Sequence, residues 1–169
     1  EPPRDPEAIA TLVAAFQDNN GQIVPVLRAL FNSEFFKNAR FKRVKSPTEL
    51  VAGTVKLVGT FKGVEPSESI NSLYGAVGVM GQRLLNPPTV EGWHTGHEWI
   101  DGGALNERVN FAVNQFKDAS KPGIQDILSR LGKSIAPVEL VDRCLDLVGP
   151  IEVGEQTRAA LLKYANTVG

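Results

Sequence analysis

Ser46-Pro47-Thr48-Glu49-Leu50-Val51-Ala52-Gly53-Thr54-Val55-Lys56-Leu57-Val58 reads as a helix from its first residue. A serine cap, a proline at the first helical position, where no N–H partner is needed, and a glutamate three residues on make a capping box. Leu50, Val51, Thr54, Leu57, Val58 and Phe61 follow at spacings of three and four, the pattern of one buried helical face.

The same period recurs on both sides. Asp5-Pro6 caps a first helix carrying Ile9, Leu12, Val13 and Phe16; after Asp18-Asn19-Asn20-Gly21, a second carries Ile23, Leu27, Leu30 and Phe31 and ends near Ser33. Pro25 is tolerated there because it falls in the first turn. Beyond Gly63 to Pro66 a fourth helix is predicted from about Ser67 to Leu85, with Ile70, Leu73, Tyr74, Val77, Gly81 and Leu84 on one side. Gly75, Gly78 and Gly81 lie three apart within it, and the missing side chains predict close approach of another helix; a ligand against bare backbone is the alternative. Leu105, Val109, Ala112, Val113 and Phe116 mark a further helix, and three shorter amphipathic segments follow the break at Ser120-Lys121-Pro122-Gly123. The only extended candidates, Phe41 to Val44 and Trp99 to Ile100, are too short for a sheet. The expectation is an all-α fold: an irregular or orthogonal bundle of about eight helices with one long ordered loop.

With 169 residues and 42% apolar content, one domain over 1–169 is the default, with residues 121–169 as a possible C-terminal helical subdomain. Eighteen basic against nineteen acidic residues give a net charge of −1, so there is no global field for nucleic acid or an anionic membrane. The single cysteine, Cys144, settles no redox compartment, and its place on a core-like helix argues against a nucleophile. No apolar run is long enough to span a membrane. The opening Glu1-Pro2-Pro3-Arg4-Asp5 has no signal-peptide character and suggests a trimmed or processed chain.

Residues 86–103, between the fourth and fifth helices, break every periodicity and hold both tryptophans and both histidines of the chain. A long loop with aromatics and prolines is expected to be ordered, and such loops tend to be functional. Three readings stand side by side. Trp93 and Trp99 fold back as plugs over the core; or an indole stays exposed as a platform for a sugar, a peptide or a partner's side chain; or His94 and His97 bind zinc or a similar ion with Glu98, Glu91 or Asp101, as in a metal-assisted hydrolase. The histidine spacing matches none of the strong zinc motifs. The most economical expectation is no cofactor, with Trp93, His94, His97, Trp99, Asp101, Arg108 and Asn110 as ligand- or partner-binding residues. Asn106, Asn110 and Asn114, four apart, would hold the loop's carbonyls if they lie beneath it.

The second polar feature is the basic run Lys37, Arg40, Lys42, Arg43 and Lys45, leading into the capped start at Ser46. A helix N-terminus is already partly positive, so an acid must be near, either Glu34 or Glu49 or a bound anion at Arg40, Lys42, Arg43 and Lys45. Only Phe35, Phe36 and Phe41 interleave with it, so nucleic acid is not expected.

Ser46-Pro47-Thr48-Glu49-Leu50-Val51, Met80-Gly81-Gln82, Asn86-Pro87-Pro88-Thr89-Val90-Glu91-Gly92-Trp93, Trp99-Ile100 and Arg108-Val109-Asn110-Phe111 occur in that order. Together, and with Leu30-Phe31-Asn32-Ser33-Glu34-Phe35-Phe36, they resemble the C-terminal half of the bacterial family called domain of unknown function 1800, with good coverage over residues 5–118. The resemblance implies a helical fold, a longer parent protein with a preceding N-terminal portion, export to the periplasm or beyond, and a protein partner. It implies no activity. His94 stands where the family's usual pattern has proline, and His97 where another basic or polar residue is usual, which weighs against a family-wide metal role for the pair. These features point to a helical binding or scaffolding module of an exported bacterial protein whose interaction surface is loop 86–103. Its partner is a protein or the preceding part of the same chain.

Overall fold

A computed structural model describes residues 5–40, 42–62, 69–132, 135–149 and 152–168. The expected start of the fourth helix at Ser67, the Gly63 to Pro66 break, Phe41 and Pro150 lie outside these. The fold is all-α. Among the described residues the order is α1 (Pro6–Gln17), α2 (Ile23–Asn32), α3 (Glu34–Lys37), α4 (Pro47–Val58), α5 (Ile70–Val79), a 3-10 turn (Gly96–Trp99), α6 (Gly102–Phe116), α7 (Pro122–Leu131), α8 (Pro137–Val148) and α9 (Glu155–Val168).

The start signals at Asp5 and Ser46 act as the sequence suggests, and Ser33, expected only as the end of the second helix, starts a short one as well. Asp5 accepts from the backbone N–H groups of Glu7 and Ala8, and Ser33 caps α3 through Phe36 N–H. At α4 the Ser46 hydroxyl accepts from Glu49 N–H at 3.3 Å, while the Glu49 carboxylate accepts from Ser46 N–H at 2.9 Å. Each satisfies a donor that the first turn leaves without a helical partner. α4 is the hub, packing against α5, α6 and α7, while α1 pairs with α2 and α8 with α9. Val51 and Val55 of α4, Leu73 and Val77 of α5, Met80 just after α5, and Phe111 of α6 form the core, with Leu50, Ala76 and Leu84 packed against it. Each fully buried side chain of this kind stabilises by roughly 1.5–3 kcal/mol.

Two expectations need correction. The fourth helix stops at Val79 rather than near Leu85, because Gly81 takes φ +97° and turns the chain out of the helix. Among the described residues no second helix approaches its glycines. A Cβ at Gly75 would meet nothing within 4 Å, one at Gly78 only the Arg83 side chain at 3.9 Å, and one at Gly81 only the Trp99 ring at 3.9 Å. The close approach lies elsewhere, between the end of α4 and the start of α7. A Cβ on Gly123 would fall 2.0 Å from the Leu57 carbonyl oxygen, and one on Gly59 would fall 2.8 Å from Gly123 N.

The chain exposes 12204 Å². A compact monomer of its 18.3 kDa mass would expose about 8,100 Å². Apolar side chains are among what it exposes: Ile9, Val13 and Phe16 of α1 and Ile23, Val24, Leu27 and Phe31 of α2 are all exposed.

Candidate functional site

Residues 82–101 form a loop whose order comes from side-chain bonds to the backbone. The Trp93 indole N–H donates to the Arg83 carbonyl at 2.9 Å, which ties the loop back to its own start. Thr89 and Gly92 close a tight turn through Gly92 N–H to Thr89 O at 3.1 Å and Thr89 Oγ1 to Gly92 O at 3.2 Å, with Gly92 at φ +109°. Glu98 accepts from Thr95 N–H at 3.2 Å and so steadies the 3-10 turn. Trp99 is 5% exposed and lies over Gly81. Trp93 is only half-buried. Trp99 is thus buried as a plug over the core, and Trp93 is covered only in part.

Gln82 fastens this loop to α4. Its Oε1 accepts from both Thr48 N–H at 2.9 Å and Thr48 Oγ1 at 2.8 Å, satisfying another first-turn donor of α4. The loop thereby comes to rest beside the basic run. Trp93, His94, His97 and Trp99 face Lys42, Arg43, Ser46, Glu49 and Gln82 across one cleft of about 630 Å³. That size is within the range of small-molecule and side-chain pockets. His94 meets Trp99 edge to face at 6.2 Å between ring centroids.

Charge in the cleft is unevenly balanced. Arg43 pairs with Glu49 at 2.7 Å, the acid that the basic run demanded, and Lys37 pairs with Glu34 at 2.8 Å. The backbone N–H of Ser46 and the Arg43 guanidinium together hold the Glu49 carboxyl below its ordinary range. Lys42 has no acidic partner among the described residues.

Other candidates fall outside the cleft. Asp101 caps α6 through Ala104 N–H at 2.7 Å. Asn106 and Asn110 are exposed, and Asn114 accepts from Lys117 Nζ at 2.8 Å, so the asparagine stripe does not hold the loop. Arg40 lines a shallow cleft with Asp142, Asp146 and Glu152, and Lys45 lines a groove on α4's other side. Arg108 is 8% exposed, and its Nε and Nη2 have no hydrogen-bond partner among the described residues. Burial pushes its guanidinium below the ordinary arginine value. Glu98 lies 3.6 Å from His94 Nδ1, but among the described residues no group of three or more His, Cys, Asp or Glu side chains is placed to hold a metal ion. Cys144 is half-buried in an apolar pocket of about 600 Å³ between α8 and α9, which raises its thiol pKa and works against thiolate chemistry.

The family model described as "Protein of unknown function (DUF1800)" matches residues 1–169. The chain belongs to the DUF1800 family. No curated protein and no solved structure matched it. In this DUF1800 chain several of the segments that carry the resemblance supply the cleft walls, through Ser46, Glu49, Gln82, Trp93 and Trp99, while Met80 and Phe111 lie in the core. Sequence reading missed Gln82 as the fastener, although the Met80-Gly81-Gln82 motif pointed at it. It also missed Leu85 and Val90, apolar residues fully exposed at the loop's beginning, with Leu85 at φ +63°. A β-turn residue of that kind costs roughly 1–2 kcal/mol to hold in the left-handed region.

Proposed function

We propose that the chain is a helical binding or scaffolding module of an exported bacterial protein, acting in the periplasm or outside the cell, and that the cleft between loop 93–99 and Lys42–Arg43 is its docking surface. The observation that carries this reading is the meeting of two separately notable features in one cleft. The half-exposed Trp93, exposed His94 and His97, and Lys42, which has no acidic partner among the described residues, offer an aromatic face beside a positive edge. Such a surface suits a polypeptide segment with an apolar or planar group next to a carboxylate. The partner is another protein or a preceding part of the same polypeptide; among the described residues no helix is long and apolar enough to cross a membrane.

A photo-activatable benzoylphenylalanine at His97, in the protein expressed in its source cells, tests the reading. Reproducible adducts with one polypeptide segment are expected from position 97, and none from the same residue at Ser129 on α7. Lys42→Glu and Trp93→Ala should each abolish most of the adduct. Adducts insensitive to both changes would remove the cleft from consideration.

A further inference from the structure

α4 carries a second stripe besides its core face. Leu50, Gly53, Thr54 and Leu57, at i, i+3, i+4 and i+7, line a groove of about 690 Å³ whose other walls include Phe116 of α6, Ile127 of α7 and Leu147 of α8. These apolar walls are half-buried, so each still has a surface to lose to an occupant. At Gly53 a side chain would meet nothing within 4 Å, which leaves the floor open to close approach.

The rim is basic. Lys45, Lys56, Lys62 and Arg130 border the groove, against Asp126 as its only acidic lining residue among the described residues. Asp126 is already engaged by Arg130 at 2.8 Å. Lys45, Lys56 and Lys62 have no ion-pair partner among the described residues. Three ammonium groups around an apolar trough, without ion-pair partners among the described residues, repel one another, and an occupant that brings carboxylates relieves that repulsion while its apolar groups fill the floor.

From this complementarity we infer that the groove is a docking site for an acidic amphipathic helix of a partner protein, distinct from the loop cleft. An α-helix with its side chains is about 10–12 Å across and presents a convex ridge of residues at i, i+3, i+4 and i+7, the shape that a concave trough accepts. A lipid surface is flat and would leave the floor unfilled.

The test uses the intact chain and a labelled synthetic helical peptide with leucines at i, i+3, i+4 and i+7 flanked by glutamates. Its counterpart has every glutamate replaced by lysine. Fluorescence anisotropy should show saturable binding of the acidic peptide, weakening as salt rises, and no binding of the basic one. The Lys45→Glu, Lys56→Glu, Lys62→Glu triple variant should bind about tenfold more weakly or worse. Gly53→Leu, which fills the floor without displacing the fold, should also block docking, and it stands in if the triple variant fails to keep its helical circular dichroism. Equal binding of the basic peptide, unchanged binding by both variants, or no binding up to millimolar peptide would each overturn the inference. Capture by anionic phosphatidylserine vesicles without peptide binding would assign the patch to a membrane surface instead, and would equally overturn it.

Discussion

Replacing Gly123 by alanine isolates the contact that fixes α7 on α4. The new Cβ would stand 2.0 Å from the Leu57 carbonyl oxygen, 2.6 Å from Val58 C and 2.9 Å from Leu57 C. All three are backbone atoms, so no rotamer change relieves the overlap, and α7 has to retreat by more than 1 Å from the position it now holds. Overpacking of this kind costs about 3 kcal/mol or somewhat more when backbone must move. Alanine's better helix propensity returns about 1 kcal/mol, for a net loss of about 2 kcal/mol or more. At roughly 2–4 °C per kcal/mol for a chain of this size, the melting temperature should fall by about 4–8 °C. Gly75→Ala is the matched control. It sits on exposed helix with nothing within 4 Å of the added carbon, and should raise stability by about 0.5–1 kcal/mol. Thermal unfolding followed at 222 nm separates the two. A neutral Gly123→Ala, or a Gly75→Ala variant destabilised by more than about 1 kcal/mol, would refute the placement of the close contact and restore the sequence-based expectation that helices meet at the α5 glycines.

Arg108→Met should stabilise the chain by about 1 kcal/mol or more in urea unfolding, because it removes a buried cation with two nitrogens that have no hydrogen-bond partner among the described residues and keeps the volume; a loss of stability would mean that the guanidinium has an acidic partner in the native fold. Single-tryptophan variants should differ: with Trp93→Phe the remaining Trp99 should emit toward the blue and resist iodide, whereas with Trp99→Phe the emission from Trp93 should be redder and quenchable, and matching spectra would contradict the difference in their burial. Because the carboxyl of Glu49 has a folded pKa below its unfolded one, its stabilisation is complete above the ordinary glutamate range and is lost as pH falls through the lowered folded value. Glu49→Gln should therefore lose stability near neutral pH and flatten part of the acid limb of the stability curve; an acid limb identical to that of the parent chain would show that the capping box carries no such linkage.

The helices were legible because their evidence is local. The caps at Asp5 and Ser46 and the periodic stripes of α1, α2, α4 and α6 lie within a few residues of one another and mark where the helices are, although the stripes of α1, α2 and α6 are largely exposed and α6 buries Ala104, Arg108, Phe111 and Gln115 instead. The tertiary partners were not local. Which glycines meet a neighbour depends on how α4 and α7 cross, and the strict triplet at 75, 78 and 81 drew attention from Gly59 and Gly123, which sit 64 positions apart and carry no pattern. The loop followed the same rule. Both tryptophans stood out by composition, but the assignment of one as plug and the other as half-exposed wall depended on Gly81 beneath Trp99 and Arg83 O beside Trp93. Asp101, Arg108 and Asn110 were grouped with the loop by proximity in sequence, yet α6 turns them to a cap, the interior and solvent respectively. The pairing of the basic run with the loop was invisible until Gln82 was seen to bond Thr48.

Hydrogen exchange of the intact chain, with and without the polypeptide captured from position 97, tests the central claim most directly. Slowed exchange in both 42–46 and 93–99, with residues 155–168 unchanged, is the result expected of a single cleft built from two separate stretches. Protection confined to other helices, or to only one of the two stretches, would contradict it.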